Sequence, residues 1–147
     1  MRELLSFWCD GLPVAQPRVK ATSFGGFTRV YNPSTAKGWK TVVTIAAKGS
    51  WKCEPFEGPL CVDLTFWFPR PQSHYKGKAK VLRPSAPIWH TTKPDRDNLD
   101  KAVMDALTQA GIWRDDKQVC DGRIRKMYCE PGNEGCQVEI SEAVFTP

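Results

Sequence analysis

The sequence contains only two histidines, His74 and His90, and none of its six cysteines (Cys9, Cys53, Cys61, Cys120, Cys129, Cys136) belongs to a Cys-x-x-Cys pair. The ligand spacing of a structural zinc site is therefore missing. The even cysteine count carries little weight without a secretion signal, so the thiols are expected to be reduced. No stretch approaches the roughly 18 to 20 apolar residues of a spanning helix, and the opening Met1-Arg2-Glu3-Leu4-Leu5-Ser6-Phe7-Trp8 is too polar for the core of a signal peptide. A cytoplasmic protein with no membrane partner is expected. Repeats, low-complexity tracts and a Gly-rich phosphate loop are absent as well. Asp95-x-Asp97-x-Leu99 lacks the Gly and terminal Glu of a calcium-binding EF-hand loop. At 147 residues and 16.6 kDa the chain has room for one domain, spanning 1–147. With 41% hydrophobic and 25% charged residues it reads as globular, not disordered, collagen-like or coiled-coil.

Acid is scarce in the first two thirds of the chain. Residues 1–94 hold 14 basic and 5 acidic side chains (+9), while 95–147 hold 7 and 11 (−4), which together make the formal charge of +5. Such asymmetry points to a basic surface for a polyanion beside a local concentration of acid.

Periodicity places the elements. Glu3 to Trp8 reads as a first strand, Pro13, Pro17 and Gly25-Gly26 mark a long loop, and Phe27 to Tyr31 is a second extended piece. Trp39, Val42, Val43, Ala46 and Ala47 share one face of a helix ending near Gly49. Leu60 to Phe68 alternates like a core strand. Pro69 to Pro87 is linker-like. Asp97 to Ala110 is the clearest helix, with Leu99, Val103, Ala106, Leu107 and Ala110 as its stripe, Asp97 as N-cap and Gly111 at the left-handed C-terminal position. Val119 to Tyr128 and Gln137 to Ile140 read as strands joined by a hairpin loop over 130–135. The fold class expected is α+β, a small mixed β-sheet with two main helices packed on it.

Seven of the nine aspartates (Asp95, Asp97, Asp100, Asp105, Asp115, Asp116, Asp121) fall within 95–121. Asp95 and Asp97 flank Arg96 at the start of the second helix, and Asp115-Asp116 lie where the chain leaves it. If the following strand lies beside that helix, Asp116 faces the Asp95/Asp97 pair. Carboxylates at close range cannot all stay ionised without a cation. Oxygen ligands with no Cys or His nearby select Mg²⁺ or Mn²⁺, which polarises a phosphoryl oxygen and activates water. Lys101, four residues after Asp97, shares its helix face and is placed to stabilise developing phosphoryl charge. A blander reading stands beside this one, with the aspartates as caps, Asp97 and Lys101 as an ordinary ion pair and Asp115-Asp116 as a polar turn. Pro94-Asp95 followed by Asp115-Asp116-Lys117 also fits the short PD-(D/E)xK pattern of another nuclease class.

The run Lys93-Pro94-Asp95-Arg96-Asp97-Asn98-Leu99-Asp100-Lys101 through Asp105-Ala106-Leu107, followed by Asp115-Asp116-Lys117-Gln118-Val119, resembles the RusA family of Holliday junction resolvases in both of its linked motifs. The resemblance is strong over about 93–128. Elsewhere Pro17-Arg18 and Tyr31-Asn32-Pro33 are similar to pieces of phage-type members. It implies an α+β homodimer that cuts four-way DNA junctions with Mg²⁺, one active site per subunit. By motif, the metal ligands are Asp95, Asp97 and Asp116 and the catalytic lysine is Lys101. Asp115 lies beside the mapped residue, and Asp100 is expected to be a solvated helix residue. A non-catalytic DNA-structure-binding protein is the alternative of another class.

For phosphate contacts the sequence offers Arg70, Lys76, Lys78, Lys80 and Arg83, a basic stretch without acid. Lys93, Arg18, Lys20 and Arg29 are further candidates. His74, Tyr75, Trp89 and His90 are candidates for stacking on opened bases.

Overall fold

The computed structural model describes residues 2–17, 20–24, 27–31 and 36–147, with the backbone alone over 20–24 and 27–31. Among the described residues nine strands and two α-helices run β1 (Glu3–Asp10), β2 (Lys20–Phe24), β3 (Phe27–Tyr31), α1 (Lys37–Ser50), β4 (Leu60–Pro69), β5 (Tyr75–Lys76), β6 (Val81–Leu82), α2 (Arg96–Gln109), β7 (Val119–Asp121), β8 (Ile124–Cys129) and β9 (Gly135–Glu142). The α+β expectation holds, with one mixed sheet and two helices.

The main sheet is ordered β1-β9-β4-β7, with β8 also against β4. β1 and β4 are antiparallel to β9, whereas β7 and β8 are parallel to β4. Registers line up the core in rows. Phe7, Val138, Leu64 and Ile124 form one, and Cys9, Cys136, Phe66 and Lys126 form the next. Every other β4 residue, from Leu60 through Val62, Leu64 and Phe66 to Phe68, is buried, which is the period-two signature of a strand with one face on a core. The helices contribute Trp39, Val43 and Ala47 from α1, and Leu99, Ala102, Val103, Ala106 and Leu107 from α2.

Four sequence expectations need correcting. β8 and β9 are not a hairpin, since each pairs with β4 from an opposite side. The turn-rich 130–135 segment instead carries the chain across the end of β4. The single strand expected over Val119–Tyr128 is two, broken at Gly122, whose φ of +141° and close approach to the Val62 carbonyl leave no room for a Cβ. Within the loop expected after Pro13, Lys20–Phe24 is a strand paired with β3. The 69–87 segment is not a bare linker, because Tyr75 and Lys76 pair with Leu82 and Val81 in a small hairpin. All six cysteines are free, as expected, with Cys9 and Cys136 directly opposed across β1 and β9. Among the described residues no helix is long and apolar enough to cross a membrane.

Candidate active site

The N-cap of helix α2 lies two residues earlier than its sequence suggests. The N-cap is Asp95, in extended backbone and without a side-chain cap bond, and Asp97 stands inside the first turn. Pro94 stands just before that cap, and its limits on Lys93 keep the helix from extending further back. At the other end the expected glycine cap is present. Gly111 (φ +75°) donates to the Thr108 carbonyl at 3.1 Å and Ile112 N to the Leu107 carbonyl at 3.2 Å, the two bonds of a Schellman cap.

That cap turns the chain back toward α2. Ile112 and Trp113 are fully buried, Trp113 Nε1 donates to Thr108 Oγ1 at 2.8 Å, and a 3-10 turn follows at Asp116–Gln118. Asp115 caps that turn by accepting from Lys117 N at 2.9 Å. The turn packs on α2, and an open cleft of about 230 Å³ between them is lined by Asp100, Lys101, Met104, Asp105, Asp116 and Val119. Lys40 of α1 reaches Asp105 from the far side, Nζ to Oδ2 at 3.2 Å. A second cleft of about 510 Å³, lined by Ala15, Gln16, Pro17, Lys93, Pro94, Asp95 and Asn98, lies at the α2 N-terminus.

The electrostatics of the first cleft are those of crowded acid. Partial burial pushes the Asp100 carboxyl above the usual carboxylate range. Arg96 opposes that shift, while the charges of Asp116 and Asp97 add to it. Lost hydration also pushes Asp116 up, reinforced by a hydrogen bond and charge from Asp115 and by the charge of Asp105. Asp115 itself is held low, chiefly by the backbone N–H of Lys117. The expectation of a solvated Asp100 is therefore wrong: it is partly buried and feels the charges of Asp116 and Asp97. The signal was in the sequence, because Asp97 and Asp100 are three apart and share a helix face.

Asp95 sits apart from this pairing, toward Lys126. The row register explains it. Lys126 lies opposite Phe66 on the helix-covered side of the sheet. Burial lowers the Lys126 pKa and the Asp95 charge partly restores it. Lys126 Nζ also donates to the Thr92 carbonyl at 2.7 Å, beneath the approach to α2. Among the described residues no three His, Cys, Asp or Glu side chains are gathered at ligand spacing. Asp95 and Asp97 thus stand at the start of α2, with Asp95 lining the larger cleft, while Asp116 lines the smaller one further along the helix beside the exposed Lys101, and the three form no closed coordination set.

A family model described as endodeoxyribonuclease RusA matches residues 10–141. This chain belongs to that family, a family of nucleases. Among its relatives, the Bacillus subtilis (strain 168) protein YqaN, described as uncharacterized, is 33% identical over 135 residues, 87% of this chain and 90% of that protein. The crossover junction endodeoxyribonuclease RusA of Escherichia coli (strain K12) is 51% identical over 47 residues, 32% of this chain and 37% of that protein. The namesake enzyme of Enterobacteria phage 82 matches to the same extent. The likeness to RusA enzymes is thus concentrated in one segment, and the likeness to YqaN is spread along the chain.

The nucleic-acid candidates divide. Lys76, Lys78, Lys80 and Arg83 are exposed on and beside the β5–β6 hairpin, and Lys93 is exposed at the mouth of the larger cleft. Arg70 is engaged internally: Nη1 donates to the Pro87 carbonyl at 2.7 Å, and the guanidinium lies 5.6 Å from the Tyr128 ring centre. Arg18 lies outside the described residues, as do the side chains of Lys20 and Arg29. Of the aromatic candidates, His90 is buried, stacked on Phe68 at 4.1 Å and against Tyr128, and burial lowers its pKa. It is a packing residue. His74 meets Tyr128 edge-on, and Tyr75 donates to Glu130 Oε2 at 3.0 Å. Trp89 alone keeps a large free face, at 55% exposure. Sequence reasoning missed Lys126, whose place follows only from the β4–β8 register, and Gln118, whose side chain ties down the Asp116 turn.

Proposed function

We propose that this RusA-family chain, a single domain over 1–147, is a Mg²⁺-dependent endonuclease that resolves four-way DNA junctions in the cytoplasm. In this reading it acts as a homodimer, each subunit cutting one of two opposed strands. The observation that carries the reading is the facing of α2 and the Asp116 turn across one acidic cleft, joined to the family match. The donor chemistry fits a hard divalent ion. The cleft offers carboxylate oxygens without Cys or His, and its carboxyls are pushed upward partly by one another's charge. Asp95, Asp97 and Asp116 would hold the ion, with Mn²⁺ as a possible substitute for Mg²⁺. When bound, it supplies Lewis-acid polarisation of a phosphoryl oxygen and a water acidified for attack.

The chain's own groups do the rest. Asp97, from the first turn of α2, and Asp116, from the turn across the cleft, would hold the ion at the scissile phosphate, Lys101 would place an ammonium where phosphoryl charge develops, and the exposed lysines would hold flanking phosphates. A basic surface around an acidic centre steers the strand toward the carboxylates. The test is incubation of a synthetic four-way junction with and without Mg²⁺, with linear duplex as control. Metal-dependent cleavage of the junction in preference to duplex is expected. Binding without cleavage at any metal concentration would leave a structure-binding protein instead.

A further inference from the structure

We infer that Gln118 is a positioning residue for Asp116, setting the metal affinity of the site without touching metal or DNA. The inference rests on the reading of Asp116 as a metal ligand. Its basis is the set of hydrogen bonds made by one side chain. Gln118 Oε1 accepts from Arg114 N at 2.9 Å and from Asp115 N at 3.2 Å, while Nε2 donates to the Phe56 carbonyl at 3.0 Å and the Gly58 carbonyl at 3.1 Å. A primary amide has two donors and an acceptor with two lone pairs, so all four capacities are used.

Those four bonds join two segments remote in sequence. On one side is the turn that carries Asp116, and on the other the loop leading into β4. The same loop is tied to the chain emerging from α2 by Phe56 N donating to the Ile112 carbonyl at 2.8 Å. Asp116 is exposed, two residues before Gln118, and lines the cleft together with Asp100 and Asp105. Its place there is set by the backbone of the turn, and Gln118 is a side chain that fastens that backbone to the loop leading into β4. The exposed Arg114–Glu57 ion pair, at 2.9 Å, spans the same two segments but is open to solvent. Exposed pairs of this kind contribute little.

Groups that orient a metal ligand typically change metal affinity by about 10- to 100-fold when removed. The test uses the full chain and two variants of unchanged side-chain length, Gln118→Met and Gln118→Glu, with Glu57→Gln as control. Junction cleavage is followed against Mg²⁺ concentration, and junction affinity is measured without metal. Gln118→Met is expected to raise half-saturating Mg²⁺ by about tenfold or more, with junction affinity within about twofold of wild type. Gln118→Glu keeps the acceptor bonds but loses both donations, so its half-saturating Mg²⁺ is also expected to rise, and Glu57→Gln is expected to match wild type. If Gln118→Met fails to fold, Gln118→Glu decides. A wild-type Mg²⁺ dependence in a folded Gln118 variant, with Asp116→Asn inactive, overturns the inference. Full activity of Asp116→Asn instead overturns the reading of Asp116 on which it rests.

Discussion

The acidic corner and the basic hairpin of this protein are anchored in different ways. The corner is built on the core: the inner face of α2 is fully buried from Leu99 to Leu107, Ile112 and Trp113 follow it inward, and Gln118 pins the turn beyond. The hairpin of β5 and β6 rests on two residue pairs, and its Val81 and Leu82 are exposed. Its links to the body are few, through Tyr75 to Glu130 and the edge-on contact of the adjoining His74 with Tyr128. The difference matches the demands of the two jobs proposed for them. Chemistry at a phosphate fails when a group is displaced by about 1 Å, whereas phosphate contacts are electrostatic and tolerate adjustment along a backbone.

The largest expected effect breaks the chemistry and leaves the binding. Asp116→Asn or Asp97→Asn should lower the cleavage rate by at least about 10²- to 10³-fold, the scale of losing one preorganised electrostatic group. Junction binding, measured by gel shift, should persist. Unchanged turnover in either variant would remove that residue from the site. On the stability side, Leu107→Ala should cost about 2–5 kcal/mol by denaturant titration, since the residue is fully buried between α2 and the sheet. A cost under about 1 kcal/mol would mean the corner is not tied to the core as described.

Much of this contrast was legible in the sequence. The period-two run of β4 and the helical stripe of α2 are local signals, and so were Gly111 as a left-handed cap and the clustering of aspartates. What was not legible depended on long-range pairing. Nothing near Cys129 or Gly135 tells that β8 and β9 flank β4 instead of each other, because a turn-rich hexapeptide reads alike in a hairpin and in a crossing. Lys126 is a surface lysine until the parallel register with Phe66 places it under α2. Asp100 reads as solvated when weighed singly, whereas its partial burial, a product of the tertiary fold, sets its environment and the charges of Asp116 and Asp97 add to the effect.

Two smaller effects sharpen the comparison. Neutralising Lys76, Lys78 and Lys80 together should weaken junction binding and flatten its salt dependence. The slope of log affinity against log salt should fall by about 0.9 for each phosphate that is no longer neutralised, up to about 3, while half-saturating Mg²⁺ stays unchanged. An unaltered slope would take the hairpin out of the interface. The smallest effect concerns Asp100. Its pKa is raised in the folded state, so without metal the protein loses stability as pH climbs from the ordinary carboxylate value through the raised one, and the cost is complete above it. Asp100→Asn should therefore be more thermostable than wild type at neutral pH in EDTA, by up to about 2–4 °C. The gain should vanish on acidification below the carboxylate range and shrink when Mg²⁺ is added. A variant less stable than wild type in EDTA would contradict the crowding of charge in the cleft.

The most direct measurement is a single-turnover cleavage rate on a four-way junction, at saturating protein and fixed Mg²⁺, for wild type, Asp116→Asn and the Lys76/Lys78/Lys80 variant. A rigid acidic corner for chemistry and a basic hairpin for holding predict that Asp116→Asn is slowed by at least about 10²-fold even when saturated, whereas the lysine variant recovers the wild-type rate once enough protein is added. A lysine variant that stays slow at saturation beside an active Asp116→Asn would contradict that division of labour.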